Sequence, residues 1–504
     1  MMKLPVHNKR TKGILLSVLV TGVLLIIFSL VFVNRIIEPV IQNKLQTLVI
    51  QGSDSLYTYR LGNLDANFFA ATVEVENLQI QVDSNRYKKL AAIHKLPSLT
   101  MQINLVKGYV KGISILPLLL NKKIKITEIL SKGADIKLMR HTNTSDTVRI
   151  TQPLWKVLRP SIKSISIARV NLDGIKLLYK YADTSEAIKL QFDHCVALLN
   201  DVRIDSAASA DTQRVAFAKI LSITLNDLKY RTGDSSHKMK AEVITYSSAS
   251  KILEVREFKI QPTLRGQDFF KKLGFRESWH LMTFESLRLT NFKLDKFFHN
   301  NTIAADSAFV VNPDVNLYMD KTYLPSQKNK IGNYPHQDLL NANPTISIKG
   351  VQMYDLDLLY TEKSDVTLKE GKFFMNDVNV RISNVTNDPN LIKKNSKCIA
   401  VMEGSVLRTS PFSVVFTFHL DSANGAFDAN GVIENVSAAQ LNGLSEPLAS
   451  IYLQSFNMHK LNFAVKGDDY TTSGNVRLQY NNLSLVFRKF DKQTGITTTK
   501  GFLT

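Results

Sequence analysis

The sequence predicts a mainly β protein, in which an N-terminal transmembrane helix is followed by a long antiparallel sheet with a few short helices. Three observations support this prediction. Residues 13–33 form one uncharged apolar segment. Beyond this segment, most apolar residues follow the spacing of strands rather than that of helices. A pattern of sixteen residues also occurs twice, at 164–179 and 345–360, which is typical of a repeat architecture.

The apolar segment at 13–33, GILLSVLVTGVLLIIFSLVFV, predicts a transmembrane helix. It has 21 residues, of which 16 are Ile, Leu, Val or Phe, and none is charged. As a helix it would be about 32 Å long, which is enough to cross a hydrocarbon core of about 30 Å. It is longer than the apolar region of a cleaved signal peptide, and no small-residue cleavage site follows it. We therefore expect an uncleaved signal anchor.

The charges before this segment predict its orientation. Four cations and no acidic residue precede it: Lys3, Lys9, Arg10 and Lys12. Because the more positive flank stays in the cytoplasm, residues 1–12 should form a cytoplasmic basic tail. The rest of the chain would then lie across the membrane, in the periplasm if the cell is Gram-negative. For a Gram-negative cell, the predicted localisation is therefore a single-pass inner-membrane protein with a cytoplasmic N-terminus and a periplasmic body.

The repeated pattern reads SISIARVNLDGIKLLY at 164–179 and TISIKGVQMYDLDLLY at 345–360. Seven of the sixteen positions are identical, with an offset of 181 residues. Farther along the chain, NDVRI at 200–204 is echoed by NDVNVRI at 376–382. These matches predict that the body of the protein contains two related units.

The two units predict a division of the chain into regions. The first β repeat region is predicted at 34–312 and the second at 345–504. Between them, residues 313–344 contain four prolines among polar residues. This composition predicts a loop or linker rather than a further domain.

Within the repeat, successive apolar residues are separated by steps of 2, 3, 2, 3 and 2. A helix requires steps of 3 and 4, and a regular strand requires steps of 2. A step of 3 inside a strand indicates one inserted residue, at a bulge or sharp bend, which keeps the following side chains on the same face. The residues with this spacing are Ile165, Ile167, Val170, Leu172, Ile175 and Leu177 in the first copy, and Ile346, Ile348, Val351, Met353, Leu356 and Leu358 in the second.

The same spacing recurs in three other segments, and in each an Asn or Asp precedes the second group of apolar residues. These residues are Asn77 in VEVENLQIQVD, Asp227 in ITLNDL and Asn291 in LRLTNFKL. Because Asx side chains satisfy local backbone groups at turns, we expect a kink in the strand at each of them.

Helical patterns are few and short. They occur in RYKKLAAIHKL (86–96), LPLLLNKK (116–123), GQDFFKKLGF (266–275) and SAAQLNGLSEPLASI (437–451).

The charge of the chain restricts the classes of partner. It has 63 Lys and Arg against 44 Asp and Glu, which gives a net charge of +19. The cations are scattered among acidic residues, so both a solvated basic surface and attraction to anionic lipid fit the composition. We find no aromatic RNA-binding signature and no helix-turn-helix pattern, and therefore expect no nucleic-acid partner.

The sequence contains none of the catalytic or nucleotide-binding motifs G-x-S-x-G, H-E-x-x-H, the P-loop and G-x-G-x-x-G. Cys195 and Cys398 allow one disulfide but do not require it. His194 should point to the opposite strand face from Cys195. Asp468 and Asp469 lie in KGDDYTTSG, which predicts a hairpin turn. We expect no enzyme activity, no cofactor and no metal site.

Two segments that follow the anchor carry a resemblance to a known family. YVKGISILPLLLNKKIKITEILSKGADIKLMR (109–140) has a short Leu-rich helix, a basic pair and strands that end in GADIKL. LNGLSEPLASIYLQSFNMHKLNFAVKGDDYTTSGNVRLQYNNLSLVF (441–487) has a short helix that leads into strands. This order resembles the AsmA-like proteins of Gram-negative envelopes, and 345–504 is similar to their C-terminal part.

The resemblance implies an elongated antiparallel sheet curled into a groove and anchored in the inner membrane. AsmA-like proteins are related to bridge-like lipid-transfer proteins and are associated with phospholipid transport and outer-membrane biogenesis. The twelve apolar residues of the repeat would then line a lipid groove, with membrane phospholipid as the partner. Shielding an acyl chain of about 16 carbons is worth on the order of 12 kcal/mol. Two alternatives stay open: a closed core, and an anchored scaffold that binds other envelope proteins without lipid transport.

Overall fold

The computed structural model describes residues 55–67, 71–93, 96–114, 121–141, 162–182, 188–211, 213–215, 217–232, 237–264, 266–326, 331–490 and 497–499. The predicted tail at 1–12 and anchor at 13–33 lie outside these residues, as does most of the helix predicted at 116–123. Within the described part of the chain, no helix is long and apolar enough to cross a membrane.

The described residues form one mixed sheet of 21 strands, which confirms the mainly β prediction. Numbered along the chain, the strands are β1 Tyr57–Arg60, β2 Asn63–Asn67, β3 Thr72–Val82, β4 Leu99–Lys111, β5 Lys123–Arg140, β6 Ser164–Tyr181, β7 Ile188–Ile204, β8 Ala218–Arg231, β9 His237–Ser247, β10 Ile252–Pro262, β11 Trp279–Thr290, β12 Thr302–Val311, β13 Asp314–Asp320, β14 Thr345–Lys363, β15 Glu370–Thr386, β16 Lys397–Val406, β17 Ser410–His419, β18 Phe427–Ser437, β19 Ile451–Gly467, β20 Thr472–Phe490 and β21 Thr497–Thr499.

Neighbouring strands in the sheet are also neighbours in the chain. At one edge, the short strands β1 and β2 both pair with β3. In the middle, β12 and β13 share one position between β11 and β14. Near the other edge, β20 pairs with β19, and β21 covers only the last three residues of β20. The chain therefore follows a meander from one edge of the sheet to the other.

Two crossovers interrupt this antiparallel meander. β5 runs parallel to β6, and β12 and β13 both run parallel to β14. The predicted antiparallel sheet is therefore a mixed one, because apolar spacing determines the face of a side chain but not the direction of the neighbouring strand. The two copies of the repeat are β6 and β14, so each copy is the strand that follows a crossover.

Seven short helices connect strands: α1 Ser84–Ala92, α2 Ser206–Ala210, α3 Gln267–Leu273, α4 Leu294–Asn300, α5 Pro335–Leu340, α6 Pro389–Ile392 and α7 Ala438–Ala449, all within the residues described. The helices predicted at 86–96, 266–275 and 437–451 are confirmed as α1, α3 and α7. The α7 helix begins with a capping box, in which Ser437 N donates to Gln440 Oε1 at 2.8 Å.

The predicted linker at 313–344 contains regular structure. Residues Asp314–Asp320 form β13, so the prediction of a loop is wrong for them. Pro313 lies before this strand, where its missing N–H breaks no pairing within the strand. Residues Pro335–Leu340 form α5, with a proline in its first turn. The division into two repeat regions stays a prediction.

The predicted kinks correspond to residues in the left-handed region. The φ angles of Asn77, Asp227 and Asn291 are 55°, 56° and 50°. The repeat has the same feature, because Gly174 in β6 has a φ of 71° and Asp355 in β14 has a φ of 56°. One residue of this kind reverses the alternation of faces, which explains the second apolar step of 3 in each copy, from Leu172 to Ile175 and from Met353 to Leu356.

The echo between NDVRI and NDVNVRI does not follow the structural repeat. Ile167 pairs with Val202, whereas its second-copy equivalent Ile348 pairs with Val385. The counterpart of NDVRI at 200–204 is therefore SNVTN at 383–387. The shared feature of these two segments is a positive φ, of 51° at Asp201 and 58° at Asn384.

Candidate functional site

The first copy of the repeat forms a continuous apolar stripe on β6. All six of its predicted residues are buried, and Ile167 has no exposed surface. They belong to one cluster with side chains from β3, β4, β5, β7 and β8. The six residues are Ile165, Ile167, Val170, Leu172, Ile175 and Leu177.

Glycine at the bend keeps this stripe on one face. Gly174 lies between Leu172 and Ile175 and adopts a φ of 71°. A Cβ at Gly174 would lie 3.2 Å from the backbone nitrogen of Gly133 on β5, which has a φ of 67°. The two strands therefore approach each other closely at their bends, and glycine at both positions permits this contact.

The second copy of the repeat is more accessible. Of its six residues, Val351 and Leu356 are buried, while Ile346, Ile348, Met353 and Leu358 are half-buried. Val351 lies in a second cluster with side chains of β8, β9, β11 and β12. Leu356 lies in a third cluster with side chains of β15, β16 and β17. The same sequence pattern is thus closed in the first copy and partly open in the second.

The apolar clusters join into one band that crosses the sheet. Leu199 and Ile223 pack against both the first and the second cluster. Met353 and Ile382 pack against both the second and the third. A fourth cluster, on β18 and β19, shares Phe373 with the third. The apolar face is therefore continuous from β3 to β19.

This apolar face ends on β20, where its side chains are exposed. Val476 on β20 is 65% exposed although it lies opposite Phe463 on β19. Leu478 and Tyr480, opposite Leu461 and Met458, are 43% and 48% exposed. The alternation of GNVRLQY identifies these residues as one face of a strand. The sequence did not predict their exposure, because among the described residues only β21 follows, and it pairs with residues 488–490 alone.

Helix α7 covers one margin of the apolar face. Asn442 Nδ2 donates to the Leu453 carbonyl of β19 at 2.8 Å, and Leu453 N donates back to Asn442 Oδ1 at 2.8 Å. On its other side the helix meets the β14–β15 hairpin, where the Thr367 hydroxyl donates to the Pro447 carbonyl. A Cβ on Gly371 of β15 would lie 2.6 Å from Leu448 Cγ. The helix thus spans from β15 to β19.

The crossover before β14 covers the opposite margin. Its helix α5 places the His336 ring 4.8 Å from that of Phe418 on β17. Gln337 Nε2 donates to Asp469 Oδ2 at 2.9 Å, and Gly332 N donates to Asp469 Oδ1 at 3.0 Å. Burial lowers the pKa of His336, so the ring stacks in its neutral form. The crossover therefore reaches from β13 to the β19–β20 turn.

The pair Asp468–Asp469 has a structural role in that turn. Asp468 Oδ1 accepts hydrogen bonds from the backbone N–H groups of Tyr470 and Thr471, at 2.8 and 2.7 Å. These bonds lower the pKa of Asp468 because they stabilise the ionised form. The hairpin turn predicted from KGDDYTTSG is confirmed, and Asp469 holds the crossover.

The two cysteines are separate buried thiols. Cys195 and Cys398 are both free, and burial raises their pKa values to about 12 and about 11. Such thiols are poor nucleophiles because the thiolate is the reactive form. His194 lies on the opposite face from Cys195, as predicted, with Nε2 3.2 Å from Asp173 Oδ1. Among the described residues, no group of His, Cys, Asp and Glu could hold a metal ion.

The residues described define a class of architecture: a single long mixed sheet with one continuous apolar face, margins covered by short helices, and a last long strand, β20, whose apolar side chains are exposed. No protein-family model matches the chain, and neither does any curated protein.

Proposed function

We propose that this protein is a membrane-anchored, AsmA-like envelope protein that assists phospholipid transport and outer-membrane biogenesis by holding acyl chains on its apolar sheet face. One observation carries the proposal: the apolar face is continuous from β3 to β19 and ends on exposed side chains of β20. An apolar band of this length that ends on exposed side chains favours a guest that is itself long and apolar.

The span of α7 fits a curled sheet. β15 and β19 are four positions apart, which corresponds to about 19 Å in a flat sheet at about 4.8 Å per strand. The helix has 12 residues and is therefore about 18 Å long. It contacts β19 through Asn442 and β15 through Leu448, so it lies across several strands of the apolar face. A curled sheet with its apolar face inside is part of the proposal and fits such a helix.

The half-buried residues of the second copy are the best placed to contact an acyl chain. Ile348 and Met353 pack against the second cluster but keep part of their surface accessible. Each methylene that an acyl chain buries on such side chains contributes about 0.8 kcal/mol. The first-copy residues, which are fully buried, stabilise the sheet instead.

The burial of the first copy favours a second candidate function. Ile165, Ile167 and Leu177 are at most 3% exposed, so β3 to β8 form a closed core in which side chains replace any guest. An anchored scaffold that binds envelope proteins without transporting lipid requires only such a core. The half-buried second copy distinguishes the two functions, because only lipid transport requires contact of Met353 with acyl chains.

Site-specific photo-crosslinking tests the proposal. The full chain would be produced with p-benzoyl-phenylalanine in place of Met353, in cells whose phospholipid is radiolabelled. The cells would then be irradiated. We expect a labelled phospholipid adduct at Met353. Tyr354 is the matched control because it is the next residue of β14 and its side chain points away from the apolar face. Equal labelling at both positions, or none at Met353, would contradict lipid transport and favour the scaffold.

A further inference from the structure

The last long strand, β20, is an unprotected sheet edge. One side of Thr472–Phe490 pairs with β19. On the other side, β21 pairs with residues 488–490 alone in the described part of the chain. Natural sheet edges are usually protected by proline, inward-pointing charges or short strand length. β20 has 19 residues and contains no proline. It presents exposed apolar side chains on its inner face, which is the face that continues the apolar face of β19.

The opposite edge of the sheet is built differently. β1 and β2 have 4 and 5 residues and are separated by a break that contains Gly62. Such short, interrupted strands offer little continuous backbone to a partner. The two edges formed by the described residues are therefore unequal, and of these two β20 offers the longer backbone to a partner strand.

The apolar residues of β20 are symmetric about the centre of the strand. Asn482 has a φ of 52°, and the register with β19 shifts near it. Because this residue reverses the alternation of faces, three apolar residues precede it on the inner face and three follow it on the same face. These are Val476, Leu478 and Tyr480, and then Leu483, Leu485 and Phe487.

We infer that β20 is a homodimerisation edge, on which two copies of this chain pair their β20 strands antiparallel about a two-fold axis between Asn481 and Asn482. Tyr480 then lies opposite Leu483 of the second copy, Leu478 opposite Leu485, and Val476 opposite Phe487. An antiparallel pair places directly opposite side chains on the same face. Every exposed apolar residue of the inner face thus gains an apolar neighbour.

The charges of β20 agree with this register. The strand has three cations, Arg477, Arg488 and Lys489, and no acidic residue. The proposed pairing covers Val476 to Phe487 and ends before the residues that pair with β21, so Arg488 and Lys489 lie outside it. Within it, Arg477 lies opposite Val486 of the second copy, so no two cations face each other. A two-fold axis makes the contact isologous and therefore closed at two copies. It also keeps both apolar faces on the same side, so the band continues from one copy into the other.

Disulfide formation between two variants tests the register. Full-length Leu478→Cys and Leu485→Cys chains would be purified in mild detergent, mixed and oxidised. Opposite residues in an antiparallel pair have Cα atoms about 4.5–5.5 Å apart, within the range of a disulfide. Two copies of residue 478 would be about 23 Å apart, at about 3.3 Å per residue. We expect a cross-linked dimer in the mixture and none in either variant alone; cross-linking within single variants, or none in the mixture, would overturn the register.

Mass measurement tests the dimer itself. Light scattering of the wild-type chain should give twice the 56.7 kDa of one copy, and Leu478→Lys should reduce the mass to that of one copy. Gln479→Lys is the matched control because residue 479 points to the opposite face, and it should stay dimeric. A monomeric wild-type chain overturns the inference. Slow hydrogen exchange along β20 in that monomer would show that another segment of the chain occupies the edge.

Discussion

Single residues in the left-handed region determine how this sheet bends. The mid-strand bends at Gly133, Gly174 and Asp355 all have positive φ. An Asn or Asp tolerates this region better than other residues with a Cβ, and glycine tolerates it without cost. The bends therefore depend on residue type at a few positions, while the apolar stripe depends on the residues between them.

Gly174→Ala should destabilise the first half of the sheet. The new Cβ would lie 3.2 Å from Gly133 N, at a φ of 71°. Left-handed backbone costs a residue with a Cβ roughly 1–2 kcal/mol, before any cost of the close contact. Native-state hydrogen exchange of β5 and β6 would measure the loss, and we expect exchange to become at least about tenfold faster.

Gly443→Ala is the matched control for this substitution. Gly443 lies inside α7, and a Cβ there would meet no atom within 4 Å. Alanine in a helix interior is more stable than glycine by about 0.5–1 kcal/mol. We expect slower exchange in α7; if both substitutions had the same effect on β6, the bend at Gly174 would not depend on glycine.

At the scale of elements, the helices at the margins are held by few polar contacts. Asp469 accepts from Gln337 Nε2 and from Gly332 N, and it joins the crossover helix α5 to the β19–β20 turn. These contacts connect residues more than 130 positions apart. The position of α5 over the apolar face therefore depends on long-range hydrogen bonds rather than on its own short sequence.

Asp469→Ala should release the crossover. Removing an acceptor leaves two donors without a partner, at a cost of about 1–3 kcal/mol. We expect hydrogen exchange of residues 331–342 to become about tenfold faster or more, while that of β14 stays unchanged. Asp421→Ala is the control, since Asp421 is an exposed carboxylate in the β17–β18 turn. Unchanged exchange in 331–342 would show that the stacking of His336 on Phe418 is sufficient to hold the crossover.

Sequence patterns predicted the local features of these elements and missed the long-range ones. The bends at Asn77 and Asp227 follow from apolar spacing, which is a property of one strand. The parallel pairing of β5 with β6 could not be predicted, because no local pattern specifies the direction of a neighbour. The strand Asp314–Asp320 was missed because Pro313 and nearby polar residues resemble a loop.

For the whole molecule, the accessibility of the apolar face increases along the sheet. It is closed at β6, half-open at β14 and open at β20. The repeat predicted the apolar spacing of its residues but not how deeply each is buried. Burial depends on the strands and helices packed nearby, which are remote in sequence. Ile167 and Ile348 occupy equivalent positions in the two copies of the repeat, but Ile167 is fully buried and Ile348 is half-buried.

Native mass spectrometry of the full chain, purified from cells in mild detergent, tests lipid binding most directly. We predict that phospholipid co-purifies at a defined stoichiometry and is lost in Ile348→Asp, while Tyr354→Asp retains it. Circular dichroism of each variant would verify that it is folded. A folded wild-type protein that carries no phospholipid would contradict lipid transport and leave the anchored scaffold as the function that the sheet supports.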